Sequence, residues 1–182
     1  MKTGIIIYGA PATGKDTITA ALTQRNPRYR LFERIKCGPG RTTGYRMTDE
    51  VEIARLAEAD QVIWSNERYG ARYVIDRPGL SQLLDDGFTP VVHAGQPEVV
   101  DAVKTAMPEV LWTVVQLVTD LATARARIVA RNTGDTAERL AASVETPRIT
   151  ATATLDTARI EPDEAASYIE AAVRLRNAQA ST

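Results

Sequence analysis

Apolar residues along this chain fall into short runs separated by amphipathic stretches, which predicts strands alternating with helices. Gly4-Ile5-Ile6-Ile7-Tyr8 is apolar at successive positions and ends at a glycine, as a strand buried on both faces does. A helix is expected from about Gly14 to Arg25, where Asn26-Pro27 stops it. Arg30 to Lys36 reads as a second strand, and Cys37 to Gly44 as a glycine-rich loop. Thr48-Asp49-Glu50 opens a helix with apolar positions at Val51, Ile53, Ala54, Leu56 and Ala57. Two short strands, Gln61 to Trp64 and Arg72 to Ile75, flank a loop at Asn66 to Gly70. Pro78 suits the first turn of a helix ending before Gly87.

Thr89 to His93 is a further strand, and Pro97 opens a helix reaching Met107. Leu111 to Val118 is the longest strand, followed by a helix from Leu121 to Arg131 that Asp120 can cap. After the polar break Asn132 to Thr136 comes a helix through Leu140, and a last helix runs from Pro162 to about Leu175. Alternation of this kind predicts an α/β fold in three layers, a central parallel sheet with helices on both faces. With 182 residues and no repeat or linker, a single domain spanning 1–182 is expected.

Composition narrows the setting. Net charge is −1 with both signs interleaved, which gives no bulk surface for nucleic acid or membrane. Cys37 is the only cysteine, so an internal disulfide and a four-cysteine metal site are excluded. No apolar run approaches the roughly 20 residues of a membrane span. The opening residues carry no signal-peptide pattern, and a cytoplasmic protein, monomeric or homodimeric, is the expectation.

The candidate chemistry begins directly after the first strand. Gly9-Ala10-Pro11-Ala12-Thr13-Gly14-Lys15-Asp16-Thr17 matches the phosphate-loop spacing G-x-x-x-x-G-K, in the required context of strand, tight loop and helix. Glycines let successive N–H groups face an anion, the helix adds its positive end, and Lys15 can reach β and γ oxygens. ATP with Mg²⁺ is the expected ligand. Asp16 stands where many such loops place a metal-binding hydroxyl, which comes one residue later at Thr17. Asp16 and Thr17 are both candidate metal ligands, and Asp16 can equally serve only the helix N-terminus.

Further along, Arg34-x-x-Cys37-x-x-x-Arg41 is followed by Gly44-Tyr45-Arg46, then by Tyr69-Gly70 and an arginine-bearing helix, Arg127-x-x-x-Arg131, with Arg139 beyond the polar break. The order of these features resembles the guanylate kinase family and its ribose 1,5-bisphosphate-forming relatives. The resemblance implies an acceptor-binding region at about 36–75 and a lid at about 125–142. It implies that Arg34, Arg41, Tyr45 and Arg46 grip the phosphate of a small acceptor, with Tyr69 and Gly70 nearby. Asp60 is then the candidate reader of guanine, with Glu58 and Glu67 as alternatives, and Lys15, Arg127, Arg131 and Arg139 hold the transferring phosphoryl group. Arginine's planar, permanently charged fork suits both tasks. The aspartate that ends a strand in that family is absent from His93-Ala94-Gly95-Gln96, which leaves a nucleoside monophosphate and a sugar phosphate both open.

His93 reads as a satisfied, half-buried histidine, and Trp64 as a core residue or a stacking surface. Cys37, beside cationic residues that can lower its pKa, has no base to make it a nucleophile. A GTP switch, from Asp76-x-x-Gly79 and Asn132-x-x-Asp135, requires a lysine that the second match lacks. A non-catalytic scaffold has no use for Gly14-Lys15.

Overall fold

Ile5 and Ile7 face one side of the first strand and Ile6 and Tyr8 the other, and all four are fully buried. That two-sided burial places this strand at the centre of a sheet. In the computed structural model, which describes residues 1–68, 70–131 and 134–180, β1 (Lys2–Tyr8) lies between β7 (Thr89–Ala94) and β8 (Val110–Val118). The remaining strands are β2 (Tyr29–Leu31), β3 (Arg34–Cys37), β4 (Tyr45–Met47), β5 (Val62–Arg68), β6 (Ala71–Asp76) and β9 (Ala153–Asp156). The central sheet has the order β2-β7-β1-β8-β9, and every pairing in it is parallel.

Helices cover both faces. On one side α1 (Lys15–Arg25) and α7 (Pro162–Ala180) bury Ile18, Leu22, Ala166 and Ile169 against Ile5, Ile7, Val91 and Val115. On the other, α3 (Arg77–Asp85) and α4 (Pro97–Ala106) set Leu80, Leu84, Val99 and Val103 on Ile6, Val92 and Val114. The expected three-layer α/β architecture with a parallel sheet is the fold observed.

A second sheet, β4-β3-β6-β5, is mixed: β3 runs parallel to β4 and antiparallel to β6, which forms a hairpin with β5. Its core is small. Ile53 and Leu56 of α2 (Glu50–Glu58) pack on Ile35 and Val74. Asp49 caps α2, its side chain accepting from Glu52 N, and Asp76 caps α3 by accepting from Gly79 N.

Several boundaries differ from the expectation. Arg30 to Lys36 is two strands in two sheets: Phe32 turns into the main core and its N–H makes the last bond to Val91 O, so the chain leaves the central sheet there. The β5–β6 hairpin is tighter than the predicted loop, since β5 continues to Arg68. Two strands, β4 and β9, appear where none was expected. The helix α6 (Thr136–Glu145) runs past Leu140, and α7 runs past Leu175.

Candidate functional site

A cleft of about 800 Å³ opens where the carboxyl ends of β1 and β7 meet the second sheet, the place where open parallel sheets take their ligands. Its floor is the loop after β1. Gly14, at φ 88°, precedes the first turn of α1, a left-handed conformation that a side chain would strain. Thr13 Oγ1 closes the loop by donating to Ala10 O at 2.9 Å, and Gly9 N donates to Ala94 O at 3.0 Å. Lys15 bends back across the loop, its Nζ donating to Gly9 O at 2.6 Å and Ala10 O at 2.8 Å. The ammonium is therefore folded back onto the loop itself.

Next to it, Asp16 joins the two halves of the cleft. One carboxylate oxygen lies 3.0 Å from Arg41 Nη1, and the other 3.5 Å from His93 Nδ1. His93 Nε2 in turn meets Thr19 Oγ1 at 2.7 Å. The expectation of a satisfied histidine agrees with this placement, and the side chain is 12% exposed. Burial, reinforced by the charge of Lys15 and opposed by Asp16, pulls the His93 pKa down to about 3, with Arg34 and Arg41 adding to the fall.

That shift has a measurable consequence. His93 is neutral in the folded chain, while the unfolded chain takes up a proton near pH 6.5. The stability this gives is fully present above about pH 6.5 and is lost as pH falls toward 3, at up to ~1.4 kcal/mol per pH unit. Urea midpoints measured at pH 7 and pH 5 are expected to drop for the wild type and to drop less for His93→Asn. Equal drops would refute the assignment.

The opposite wall comes from the second sheet. Arg34 and Lys36 on β3, Tyr45 on β4, Asn66 and Arg68 on β5 and Tyr73 on β6 all line the cleft. The rings of Tyr45 and Tyr73 lie 5.5 Å apart, and the Arg34 guanidinium sits 5.4 Å from the centre of Tyr73. Asn66 Nδ2 donates to Gln96 Oε1 at 2.8 Å, linking this wall to the start of α4. From the third side Gly134, Asp135, Glu138 and Arg139 approach, with Arg139 Nε donating to Asp135 Oδ1 at 2.6 Å.

Of the residues expected here, Gly9, Pro11, Ala12, Gly14, Lys15, Asp16, Arg34, Arg41, Tyr45 and Arg139 line one cavity. Ala10 and Thr13 shape the loop from within. Thr17 is exposed and outside the lining, so Asp16 is the metal-ligand candidate that the geometry brings in. Arg127 does not line the cleft; it donates to Ala12 O at 3.2 Å and to Thr157 O at 2.9 Å, bracing the loop from behind. For Arg131 the structure describes the backbone at the end of α5 (Leu121–Arg131), its side chain lying outside the described residues, as does Tyr69.

Three more of the expected residues lie outside the cleft lining. Arg46 does not face the cleft: its guanidinium forms a two-pronged ion pair with Asp76, which is 2% exposed, and donates to Glu33 O at 2.8 Å. Asp60 sits exposed in the turn after α2 at φ 54°, outside the residues that line the cleft. Gly70, at φ 70°, turns the β5–β6 hairpin and also stays outside the lining. For Cys37, a hydrogen bond with Glu50 pushes the thiol's pKa up, contrary to the lowering that its cationic neighbours suggested. Trp64 packs against the main core.

Lys36, Asn66, Arg68 and Tyr73 were missed by sequence reasoning. The signal was period two: Arg34/Lys36 and Asn66/Arg68 are alternate strand positions, and Lys36 pairs with Tyr73 across the sheet.

A five-stranded parallel sheet with a glycine-lysine loop after its central strand, helices on both faces and a mixed-sheet insertion is the fold of P-loop kinases. Solved structures agree. A guanylate kinase from Anaplasma phagocytophilum superposes with TM-score 0.63 at 14% identity, covering 96% of this chain and 85% of that one. A gluconokinase from Sinorhizobium meliloti gives 0.53 at 16% identity, covering 97% and 95%. A sugar kinase from Janibacter gives 0.51 at 13% identity, covering 92% of each chain. No family model matches the sequence, and no curated protein matches it. Among the described residues, no helix is long and apolar enough to cross a membrane.

Proposed function

We propose that this chain is an ATP-dependent phosphotransferase that moves the γ-phosphoryl group of ATP onto a small acceptor already carrying a phosphate. One observation carries the reading: the phosphate loop with Lys15 and the cationic wall of Arg34 and Arg41 line a single cleft. The loop takes the triphosphate of ATP, and the second sheet takes the acceptor. Lys15, lifted off the carbonyls of Gly9 and Ala10, meets the charge that spreads over the transferring group, with Arg139 on the far side. Arg127 keeps the loop in shape through Ala12 O.

The acceptor's phosphate displaces Asp16 as the partner of Arg41, and Tyr45 stands beside it. Being ionised already, such an acceptor needs no general base. Mg²⁺ binds through one or two carboxylates, nucleotide oxygens and water, so Asp16 would hold it, and the ion would supply charge neutralisation to the transferring group.

A nucleoside monophosphate is the first reading for the acceptor, and the added mixed sheet with its aromatic pair supports it. A sugar phosphate is the second, favoured by a specific feature. The carboxylates lining the cleft, Asp16, Asp135 and Glu138, come from the first turn of α1, the α6 approach and α6, and none from the second sheet. A site that reads a base through a buried acid discriminates strongly, and here the acid proposed for it, Asp60, lies outside the residues that line the cleft. The test is an ADP-release screen of ribo- and deoxynucleoside monophosphates beside sugar phosphates. Turnover is expected only with phosphorylated acceptors, GMP and AMP differing by less than about tenfold and Asp60→Ala changing neither. ADP release independent of any acceptor would refute the reading.

A further inference from the structure

Lys36 is the buried cation that this chemistry leaves without a task. It is 1% exposed on β3, a rare condition for a lysine, because the ammonium gives up its water. Burial lowers its pKa accordingly. Nζ donates to Pro39 O at 2.5 Å and to Arg41 O at 2.8 Å, and lies 5.6 Å and 5.7 Å from the ring centres of Tyr45 and Tyr73. Loop 38–44 is thus wrapped around a positive charge.

The direction of those carbonyls matters. Among the described residues no peptide bond is cis, and in a trans peptide the N–H points opposite to its carbonyl. With the carbonyls of Pro39 and Arg41 turned onto the ammonium, the N–H groups of Gly40 and Thr42 turn away from it. Gly40, at φ 89°, adopts the left-handed conformation this needs, and it lines the cleft across from the phosphate loop. Two alternate amides turned away from the ammonium beside the Arg41 guanidinium leave donors for an anion.

The geometry points to Lys36 as a positioning residue: by binding two carbonyls it shapes loop 38–44 so that the Gly40 and Thr42 amides, together with Arg41, take the acceptor's phosphate. The inference rests on the phosphotransferase reading and names what holds its acceptor. Its two carbonyl bonds are the route by which Lys36 acts through the loop.

The test is an NMR titration of the full chain with inorganic phosphate, following backbone amides, with ATP binding as a separate readout of the phosphate loop. In the wild type the Gly40 and Thr42 amides are expected to shift saturably. In Lys36→Met the phosphate midpoint read at Gly40 is expected to rise at least about tenfold, the loss of one charge-assisted anchor, while ATP affinity stays within about twofold. Lys36→Arg, which keeps a charged donor, is expected to restore part of the response. An unchanged midpoint in Lys36→Met overturns the inference. Should that variant not fold, the wild type decides: Gly40 and Thr42 amides that ignore phosphate while the phosphate-loop amides respond also overturn it. If neither phosphate nor ATP perturbs the phosphate loop, the phosphotransferase reading itself fails, and the role of Lys36 with it.

Discussion

Replacing Lys15 with alanine is expected to lower turnover by about a hundredfold or more, the usual cost of losing one preorganised charge at a transferring group. The ammonium sits 2.6 Å and 2.8 Å from two loop carbonyls, which it must leave to reach a nucleotide. The loss should appear mainly in kcat, because charge on the phosphoryl oxygens grows on the way to the transition state. The fold should persist, since the loop keeps its Thr13 and Gly9 hydrogen bonds. Steady-state ADP release with a working acceptor checks this. Near-normal kcat in the variant would remove Lys15 from the mechanism.

Arg46→Met is expected to act on stability and to leave the acceptor's KM nearly unchanged. Its guanidinium faces the buried carboxylate of Asp76 and lies 5.2 Å from the Phe32 ring centre. Removing one partner of such a pair strands the other charge, which costs several kcal/mol when both are buried. Arg46 is 38% exposed, so solvent reduces the loss, and about 2–3 kcal/mol is expected. In a chain of this size that lowers Tm by roughly 5–10 °C. Thermal unfolding combined with acceptor KM separates the two roles. A large rise in KM with unchanged Tm would return Arg46 to the acceptor site.

These two arginine and lysine positions illustrate what sequence does and does not reveal. Lys15 was legible because its chemistry is local: a strand, two glycines and a helix start fix its place within a few residues. The same holds for the layer order, since Ile5-Ile6-Ile7 cannot satisfy both faces outside a central parallel strand. Arg46 was not legible, because its partner lies thirty residues away and only tertiary structure decides which carboxylate an arginine meets. The position of Asp60 outside the cleft was hidden for a related reason. A resemblance in the order of motifs carries no information about where a helix ends, and α2 ends in a left-handed turn that faces solvent.

Other misses follow from weak local signals. The edge strand β9 is Ala-Thr-Leu-Asp, with little apolar surface to announce it, and it forms because β8 offers a free edge. Phe32 interrupts an otherwise extended stretch, and its burial in the main core is what sends the following residues into the second sheet. The last residues of α7, Arg176 to Ala180, lack an apolar stripe but are good helix formers. Lys36 was the least expected, since a lysine in a strand normally signals a solvated face.

The central claim is that the bend between β1 and α1 takes the triphosphate of ATP. Determining the structure with Mg²⁺ and a non-hydrolysable ATP analogue tests it most directly. The account predicts phosphates seated along residues 9–17, with Lys15 Nζ moved from the Gly9 and Ala10 carbonyls onto β and γ oxygens. A nucleotide bound elsewhere, with Lys15 still on those carbonyls, would contradict it.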